Sequence, residues 1–281
     1  MSRPERIGLV AGNGRLPYLF AAAARERGLS VIAVAHRGES SEDLAREVDV
    51  FEWVRVGQVN RILEVFHRHG VDRAVMAGGI GRVRALKEAR PDFGAVRIIS
   101  RLRSFRDDAL LRAIAEDFEK RGVRIVAPTD LLPEILAPEG VLAGAPPDAA
   151  VQHDIELGLE VATLLGKADV GQTVVVRNGH VLALEAVEGT DEAIRRGGRL
   201  GGPGAVVVKL AKPQQDTRFD LPAVGPNTLS VMQEVGARVL ALEAGRTIML
   251  DPAQFLRDAE HRGIRVIGIR YRLGNSPFAQ R

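Results

Sequence analysis

The stretch Ile7-Gly8-Leu9-Val10-Ala11-Gly12-Asn13-Gly14-Arg15-Leu16-Pro17 decides the fold class of this chain. Its first five residues form an apolar run, which is typical of a strand buried on both faces of a sheet. The glycines that follow predict a tight turn, and Pro17 fits the first turn of a helix, where a missing N–H group costs nothing. A strand, a glycine turn and a helix in this order indicate the first unit of a parallel α/β sheet.

The same rhythm continues through the first half of the chain. The apolar runs predict further strands at 31–35, 74–77 and 123–127. Apolar residues at helical spacing predict helices at 58–69 and from Asp107 to the residue before Gly122. Strands that alternate with helices favour a Rossmann-like parallel sheet with right-handed crossovers.

The second half has a different organisation. Five prolines between residues 128 and 148 predict a junction without regular structure. Beyond it, Asn178-Gly179 between two β-rich runs predicts a hairpin, and further strands alternate with helices. We therefore expect an α/β protein of two domains, the second smaller and of mixed α/β structure. The predicted segments are a first domain over 1–132, a Pro/Gly-rich linker over 133–147, a second domain over 148–270 and a loose tail over 271–281.

Composition excludes several classes of protein. The chain has 281 residues and no cysteine, which excludes disulfide scaffolds, zinc–thiolate sites, iron–sulfur clusters and a cysteine nucleophile. A net charge of +3 is too small to indicate nucleic-acid binding. No apolar run approaches the roughly 18 residues of a membrane span, and we expect no signal peptide. These features fit a cytoplasmic protein.

Two glycine turns are candidates for ligand binding. Gly12 and Gly14 follow the first strand, and Gly78 and Gly79 follow another strand of the same sheet. Glycines at a strand end that leads into a helix let backbone N–H groups approach a phosphate. An NAD site would need a third glycine where Pro17 stands and an acid after the second strand, so a nucleotide or phosphate is favoured over NAD.

Acidic residues mark two further places. Asp107 and Asp108 stand at a helix start, where they cap the helix or contact ligand hydroxyls or a metal. The run from Glu185 to Asp191 leaves a strand and enters a helix at Thr190. Its three acids make it a candidate cation or sugar site.

The densest chemistry lies between Lys209 and Pro222. This stretch holds Lys212, Arg218, two carboxylates and two glutamines. Cations neutralise phosphate oxygens, and a carboxylate holds Mg²⁺ or activates water, so the mixture indicates phosphoryl chemistry. In an extended segment, Asp216, Arg218 and Asp220 would share one face because side chains alternate.

The motifs together resemble a known family. The segments 8–17, 76–79, 107–112, Gly171-Gln172, 185–191 and 215–225 closely resemble LpxI, the UDP-2,3-diacylglucosamine pyrophosphatases of lipid A biosynthesis. The resemblance implies a UDP-binding first domain and a second domain that binds the acylated sugar phosphate. It also implies hydrolysis of the pyrophosphate by water attack at the α-phosphorus, which gives UMP and 2,3-diacylglucosamine 1-phosphate (lipid X).

The resemblance also implies a cofactor and a set of site residues. Mg²⁺ or another divalent cation is expected, with the family's essential aspartate at Asp220 as catalytic residue and metal ligand, and with Asp216 as a weaker metal candidate. The substrate is expected to contact Gly12, Gly14, Gly78, Gly79, Asp107, Asp108, Gln172, Thr190, Asp191, Lys212, Gln215, Arg218 and Leu221.

Other readings of the sequence stay open at this point. One is a non-catalytic protein that binds nucleotide sugars or acyl sugars on the same fold. A Rossmann oxidoreductase is disfavoured by Pro17. The sequence leaves open whether the protein forms a homodimer and whether it contacts the inner membrane transiently to collect its substrate.

Overall fold

The chain divides into two compact units. The computed structural model describes residues 4–81, 89–100, 102 and 107–270, without the side chains of Asp107 and Asp108. Of the described residues, the first unit comprises those up to Pro133 together with Asp216–Asp220, and the second comprises Glu134–Gln215 and those from Leu221 to 270. The predicted tail at 271–281 lies outside the described residues.

The first unit contains a five-stranded sheet with every described strand pair parallel. Its strands are β1 (Arg6–Ala11), β2 (Ser30–His36), β3 (Val50–Val54), β4 (Arg73–Ala77) and β5 (Arg124–Val126). The strand order is β3-β2-β1-β4-β5, so the direction of winding reverses between β1 and β4. Ligands of such sheets bind outside the carboxyl ends of the strands at this reversal. The expected Rossmann-like parallel sheet is confirmed.

Helices cover this sheet because their apolar residues recur on one face. They are α1 (Leu16–Glu26), α2 (Val59–Arg68), α3 (Phe93–Ile99) and α4 (Asp107–Lys120). Phe66 of α2 and Phe118 of α4 are fully buried, with ring centroids 6.5 Å apart in an edge-on arrangement. Burial of these two rings joins α2 and α4 in one core beneath the sheet.

The second unit contains a mixed six-stranded sheet of order β6-β13-β11-β9-β7-β8. Its strands are β6 (Gly140–Ala143), β7 (Thr173–Arg177), β8 (His180–Leu184), β9 (Val206–Lys209), β11 (Val239–Glu243) and β13 (Arg265–Ile269). The central strands β9, β11 and β13 are parallel. Strands β6 and β7 are antiparallel to them, and the edge strand β8 pairs antiparallel with β7. A separate parallel pair is formed by β10 (Ala223–Val224) and β12 (Ile248–Met249).

Helices lie on both faces of the second sheet. They are α5 (Ala149–Lys167), α6 (Thr190–Gly201), α7 (Pro226–Glu234) and α8 (Pro252–His261). Residues of α5 pack with Val174 and Val208 on one face, whereas residues of α6, α7 and α8 pack with Val175 and Val207 on the other. This alternation follows from the period of two along each strand. None of the helices in the described ranges is long and apolar enough to cross a membrane.

Residues 133–147 are not an irregular linker, contrary to the prediction. Gly140–Ala143 form the edge strand β6, antiparallel to β13. Pro138 and Pro146 flank this strand without interrupting it, and proline is tolerated beside an edge strand. Strand β6 brings the described part of the second sheet to six strands, one more than in the first sheet.

The predicted hairpin is confirmed. Asn178 and Gly179 connect β7 to β8 with φ angles of 50° and 75°. Two successive positive φ angles are the requirement of the tight hairpin turn that Asn-Gly favours.

Candidate functional site

The two glycine turns of the first unit join at the reversal point of the sheet. The amide of Gly12 donates to the carbonyl of Ala77 at 2.8 Å. Asn13 and Gly79 exchange two backbone hydrogen bonds, of 2.8 and 3.2 Å. The carboxyl ends of β1 and β4 are therefore bridged into one backbone surface, as the sequence-based placement of both turns at one edge requires.

Gly12 and Gly78 are glycine for a different structural reason from Gly14. A Cβ atom on Gly12 would lie 2.3 Å from the carbonyl oxygen of Gly79, and one on Gly78 would lie 2.3 Å from that of Asn13. These two positions need glycine because the turns touch each other. Gly14 has φ +87° and no atom within 4 Å of the Cβ position. Gly14 therefore supplies the open part of the surface, directly before α1, which begins without a side-chain cap.

The end of β2 holds the first turn in place. The carbonyl of Ala11 accepts hydrogen bonds from Ser40 Oγ at 2.8 Å and from His36 Nδ1 at 3.0 Å. Because a carbonyl can only accept, Nδ1 carries the proton. Burial lowers the pKa of His36, which favours the neutral ring. The sequence shows a histidine where NAD sites carry an acid, but only the structure shows that it supports the turn.

The segment Asp216–Asp220 belongs to the first unit, although it lies between β9 and β10 in the chain. Arg218 donates to both oxygens of Asp216, from Nε at 3.0 Å and from Nη2 at 2.8 Å. Its Nη1 pairs with Glu119 of α4 at 2.7 Å. The ring of Phe219 packs against the core of this unit. These contacts explain why the segment leaves the unit in which the sequence places it.

The segment is not extended, so the condition under which Asp216, Arg218 and Asp220 would share one face is not met. The amides of Phe219 and Asp220 both donate to the carbonyl of Asp216, at 3.3 and 3.1 Å, which closes a helical turn. The bidentate bond between Asp216 and Arg218 favours this turn over an extended strand. The three charged residues therefore do not line one face.

The carboxylates of Asp216 and Asp220 differ in whether other side chains already bind them. Hydrogen bonds from Arg218 hold the pKa of Asp216 below its ordinary value, and Arg112 lies 4.0 Å away. Asp220 is half-buried, and its side chain makes no hydrogen bond or ion pair with the described residues. Asp220 is therefore the carboxylate of this segment that is available to a metal or a water.

The donor set fits Mg²⁺ only in part. Within the described ranges, no group of three or more His, Cys, Asp or Glu side chains could hold a metal ion. Asp216 fits poorly because both of its oxygens accept from Arg218. Asp220 does fit, since Mg²⁺ is commonly held by one or two carboxylates together with substrate phosphates and waters. The side chains of Asp107 and Asp108 lie outside the described residues.

In the second unit, other protein groups already engage Lys212 and Gln215. Lys212 Nζ pairs with Asp169 at 2.9 Å, and Gln215 Oε1 accepts from the amide of Lys212 at 3.0 Å. Leu221, half-buried, is the residue with which the chain returns to this unit. The ammonium group of Lys212, which the sequence suggests for phosphate binding, is therefore already neutralised by the carboxylate of Asp169.

A buried polar cluster lies at the carboxyl end of β9. Lys209 ends this strand and donates to Thr190 Oγ1 at 2.7 Å, and Thr190 Oγ1 donates to Glu185 at 3.1 Å. Asp191 accepts from Asn227 at 2.5 Å. Gln172 lies directly before Thr173, the β7 residue paired with Lys209.

Sequence reasoning places Thr190, Asp191 and Gln172 in a site but misses Lys209 as a member of it. A valine-rich run that ends in lysine resembles an ordinary strand end. The sequence did contain an indication that Lys209 belongs to the cluster, because a lysine that continues a strand of buried valines needs a buried partner.

Comparison with known proteins gives matches over most of the chain. Residues 6–135 match the family model for the LpxI N-terminal domain, and residues 138–267 match that for the LpxI C-terminal domain. The chain is similar to the UDP-2,3-diacylglucosamine pyrophosphatase LpxI of Caulobacter vibrioides. The two are 32% identical over 278 residues, which cover 94% of this chain and 98% of that protein.

Solved structures show weaker likenesses. The biotin carboxylase domain of Hydrogenobacter thermophilus 2-oxoglutarate carboxylase is 14% identical, with a TM-score of 0.28, over 64% of this chain and 36% of that one. An ADP complex of N5-carboxyaminoimidazole ribonucleotide synthetase is 12% identical, also with a TM-score of 0.28, over 70% of this chain and 45% of that one.

Proposed function

Since the chain belongs to the LpxI family, we propose that it hydrolyses the pyrophosphate of UDP-2,3-diacylglucosamine in lipid A biosynthesis. In the reaction we propose, the oxygen of water bonds to the α-phosphorus as the bond from that phosphorus to the bridging oxygen breaks. The bridging oxygen leaves with the sugar phosphate. The products are UMP and 2,3-diacylglucosamine 1-phosphate.

The carboxylate of Asp220, which has no hydrogen-bond or ion-pair partner among the described residues, supports this proposal most directly. A carboxylate without a cationic partner can accept a proton from an attacking water, which is the role of a general base. Asp216 is unsuited to this role because Arg218 already occupies both of its oxygens. We therefore assign the catalytic role to Asp220 and a positioning role to Asp216 and Arg218, which form the turn that carries Asp220.

The first unit is proposed to bind the UDP group. The backbone at Gly14, before the uncapped start of α1, offers N–H groups to phosphate oxygens. Gly12, Gly78 and Gly79 form the surface that carries it. Asp107 and Asp108, at the start of α4, remain candidates for substrate contact.

The second unit is proposed to bind the acylated sugar phosphate. Gln172, Thr190 and Asp191 lie near one edge of its sheet. The hydroxyl of Thr190 is engaged by Lys209 and Glu185, so Thr190 would offer its backbone N–H to the substrate. Direct contact of the substrate with Lys212 or Gln215 would require exchange of the partners that hold them.

We propose that Mg²⁺ takes part, with Asp220 as its protein ligand. A bound Mg²⁺ would neutralise charge on the phosphate oxygens of the substrate. The half-buried position of Asp220 limits competing solvent around its carboxylate.

Asp220→Asn tests the assignment of the catalytic carboxylate. The amide cannot act as a base, so we expect kcat for UMP release to fall by about 10²–10⁴-fold. Binding of the substrate, measured by calorimetry, and the thermal midpoint of unfolding should change little, because the side chain has no partner to lose in the described part of the protein.

The matched control is Asp72→Asn. Asp72 is exposed and directly precedes β4, at the opposite end of that strand from Gly78. This variant should retain the wild-type kcat. Wild-type turnover by Asp220→Asn would show that another group activates the water.

Chelation tests the requirement for the metal. Dialysis against EDTA should abolish UMP release, and added Mg²⁺ should restore it, since the phosphate charges would otherwise lack their counter-ion. Far-ultraviolet circular dichroism before and after dialysis controls for unfolding. Full activity in EDTA would exclude a metal-dependent reaction.

A further inference from the structure

A chain of hydrogen bonds in the second unit fixes the proton of each hydroxyl group. Lys209 donates to Thr190 Oγ1 at 2.7 Å, and Thr190 donates its one proton to Glu185 Oε1 at 3.1 Å. Thr173 Oγ1 lies 3.3 Å from Thr190 Oγ1 and is left with the donor role. The hydroxyl of Thr190 is thereby saturated, with one proton given and two accepted.

The rest of the cluster is not saturated. Glu185 is only 9% exposed, and its Oε2 has no hydrogen-bond partner among the described residues. The same is true of Gln172 Oε1. Lys209 is 4% exposed, and Thr190 is the one acceptor found for its three N–H donors in the described part of the chain. Buried groups of this kind normally have a partner, so a ligand or water has to supply it.

The charges of the cluster select the class of ligand. Burial lowers the pKa of Lys209, while the carboxylates of Glu185 and Asp191 act in the opposite sense. Two acids face one ammonium, so the cluster has no positive surplus to offer a phosphate. A hydroxyl group suits it better, because it can donate to Glu185 Oε2 and accept from Lys209 Nζ.

We propose that Glu185 and Lys209 form a recognition subsite for a sugar hydroxyl of the substrate. This inference rests on the proposed function, which supplies a sugar with such groups. In UDP-2,3-diacylglucosamine, acyl groups occupy positions 2 and 3 and the diphosphate occupies position 1. The hydroxyls at positions 4 and 6 are therefore the ones available to the subsite.

Deoxy substrates test the proposal on the unaltered protein. We expect the 4-deoxy or the 6-deoxy analogue of UDP-2,3-diacylglucosamine to show kcat/KM for UMP release about 10- to 100-fold below that of the parent. This range corresponds to one hydrogen bond to a charged group. If both analogues match the parent within about 2-fold, the orphaned groups are satisfied by water alone and the proposal is wrong.

Variants assign the effect to the cluster. In Glu185→Gln, the side-chain NH₂ group can take the place of the unpartnered Oε2, while the remaining oxygen can still accept from Thr190. We therefore expect discrimination, the ratio of kcat/KM for the parent substrate to that for the deoxy analogue, to fall at least about 10-fold. Glu192→Gln is the matched control, because Glu192 lies in the first turn of α6 and pairs with Arg195 on the surface. Unchanged discrimination in Glu185→Gln, or an equal loss in Glu192→Gln, would overturn the assignment.

Calorimetry separates failure of this proposal from failure of the proposed function. If the wild-type protein releases no UMP from the parent substrate, the proposed function fails. Binding of 2,3-diacylglucosamine 1-phosphate and its two deoxy analogues then decides the subsite. Binding that weakens at least about 10-fold without one hydroxyl supports it, whereas equal binding, or none, overturns it.

Discussion

Two aspartates four positions apart differ because of a single arginine. Arg218 occupies both oxygens of Asp216 and makes none of its bonds to the side chain of Asp220. One carboxylate is used for structure, which leaves the other available for chemistry. This division of labour follows from the helical turn, since in an extended strand Arg218 would lie between the two acids on one face.

Asp216→Asn should destabilise the protein in a pH-dependent way. Loss of the charge-assisted bonds is expected to lower the free energy of unfolding by about 1–2 kcal/mol at pH 7. A lowered pKa in the folded state stabilises the protein above the pKa of the unfolded chain, about 3.9. This stability is lost as the pH falls through the folded-state pKa.

Urea unfolding at pH 7 and pH 3 measures this effect. The difference between wild type and Asp216→Asn should be largest at pH 7 and should shrink below about pH 4. Asp43→Asn, which removes an exposed ion pair with Arg46, should cost less than about 1 kcal/mol. A difference for Asp216→Asn that does not vary with pH would contradict the role given to the ion pair.

At the residue level, the sequence predicts where charges concentrate but not which of them are neutralised. The stretch from Lys209 to Pro222 is identifiable as the place with the densest chemistry. The pairing of Lys212 with Asp169 depends on a residue 43 positions away. Lys209 reaches Thr190, and through it Glu185, only because β8 and β9 end and α6 begins at one place, which local spacing cannot reveal.

At the level of elements, contact between two turns explains the glycines at the edge of the first sheet. Gly12→Ala would place a methyl group 2.3 Å from the carbonyl oxygen of Gly79, and a backbone oxygen cannot rotate away. We expect a loss of about 2–3 kcal/mol in the free energy of unfolding, measured by urea denaturation.

Gly28→Ala is the control for glycine conformation alone. Gly28 has φ +71° and no atom within 4 Å of the Cβ position, so this variant should lose about 1 kcal/mol from backbone strain. If Gly12→Ala is no less stable than Gly28→Ala, the bridge between the turns contributes little.

Elements whose signal is local could be predicted. The Asn178-Gly179 hairpin needs two positive φ angles, and two adjacent residues reveal that need. Strand β6 could not be predicted in the same way, because its four residues become a strand only through pairing with β13. The nearby prolines led to the prediction of irregular structure, but they lie outside the strand.

At the scale of the molecule, the sequence suggests two successive domains, whereas one segment departs from that order. Asp216–Asp220 packs with the first unit through the ring of Phe219 and the guanidinium of Arg218. Such an assignment requires knowledge of contacts distant in sequence, so pattern reasoning places the segment with its chain neighbours.

Phe219→Ala should therefore weaken the first unit selectively. Loss of a half-buried ring is expected to lower the opening free energy of amides in β4 and β5 by about 1–2 kcal/mol. Amides in β9 and β11 should be unchanged. Residue-resolved hydrogen exchange measures both sets.

Phe93→Ala controls for loss of a phenyl ring. Phe93 belongs to the same unit and is 80% exposed, so its removal should leave amide protection in β4 and β5 unaltered. Deprotection confined to β9 and β11 in Phe219→Ala would show that the segment belongs with the second unit.

The position of Asp220 in the sequence also has a consequence for synthesis of the protein itself. The ribosome synthesises residues 1–133 well before it adds Asp216–Asp220, the five residues that complete the first unit. Until then, the first unit lacks Asp220, the residue on which we expect catalysis to depend. A gene split at the boundary between the two matched family regions would encode the two glycine turns on one polypeptide and Asp220 on the other. Neither fragment alone would then carry a complete set of catalytic parts.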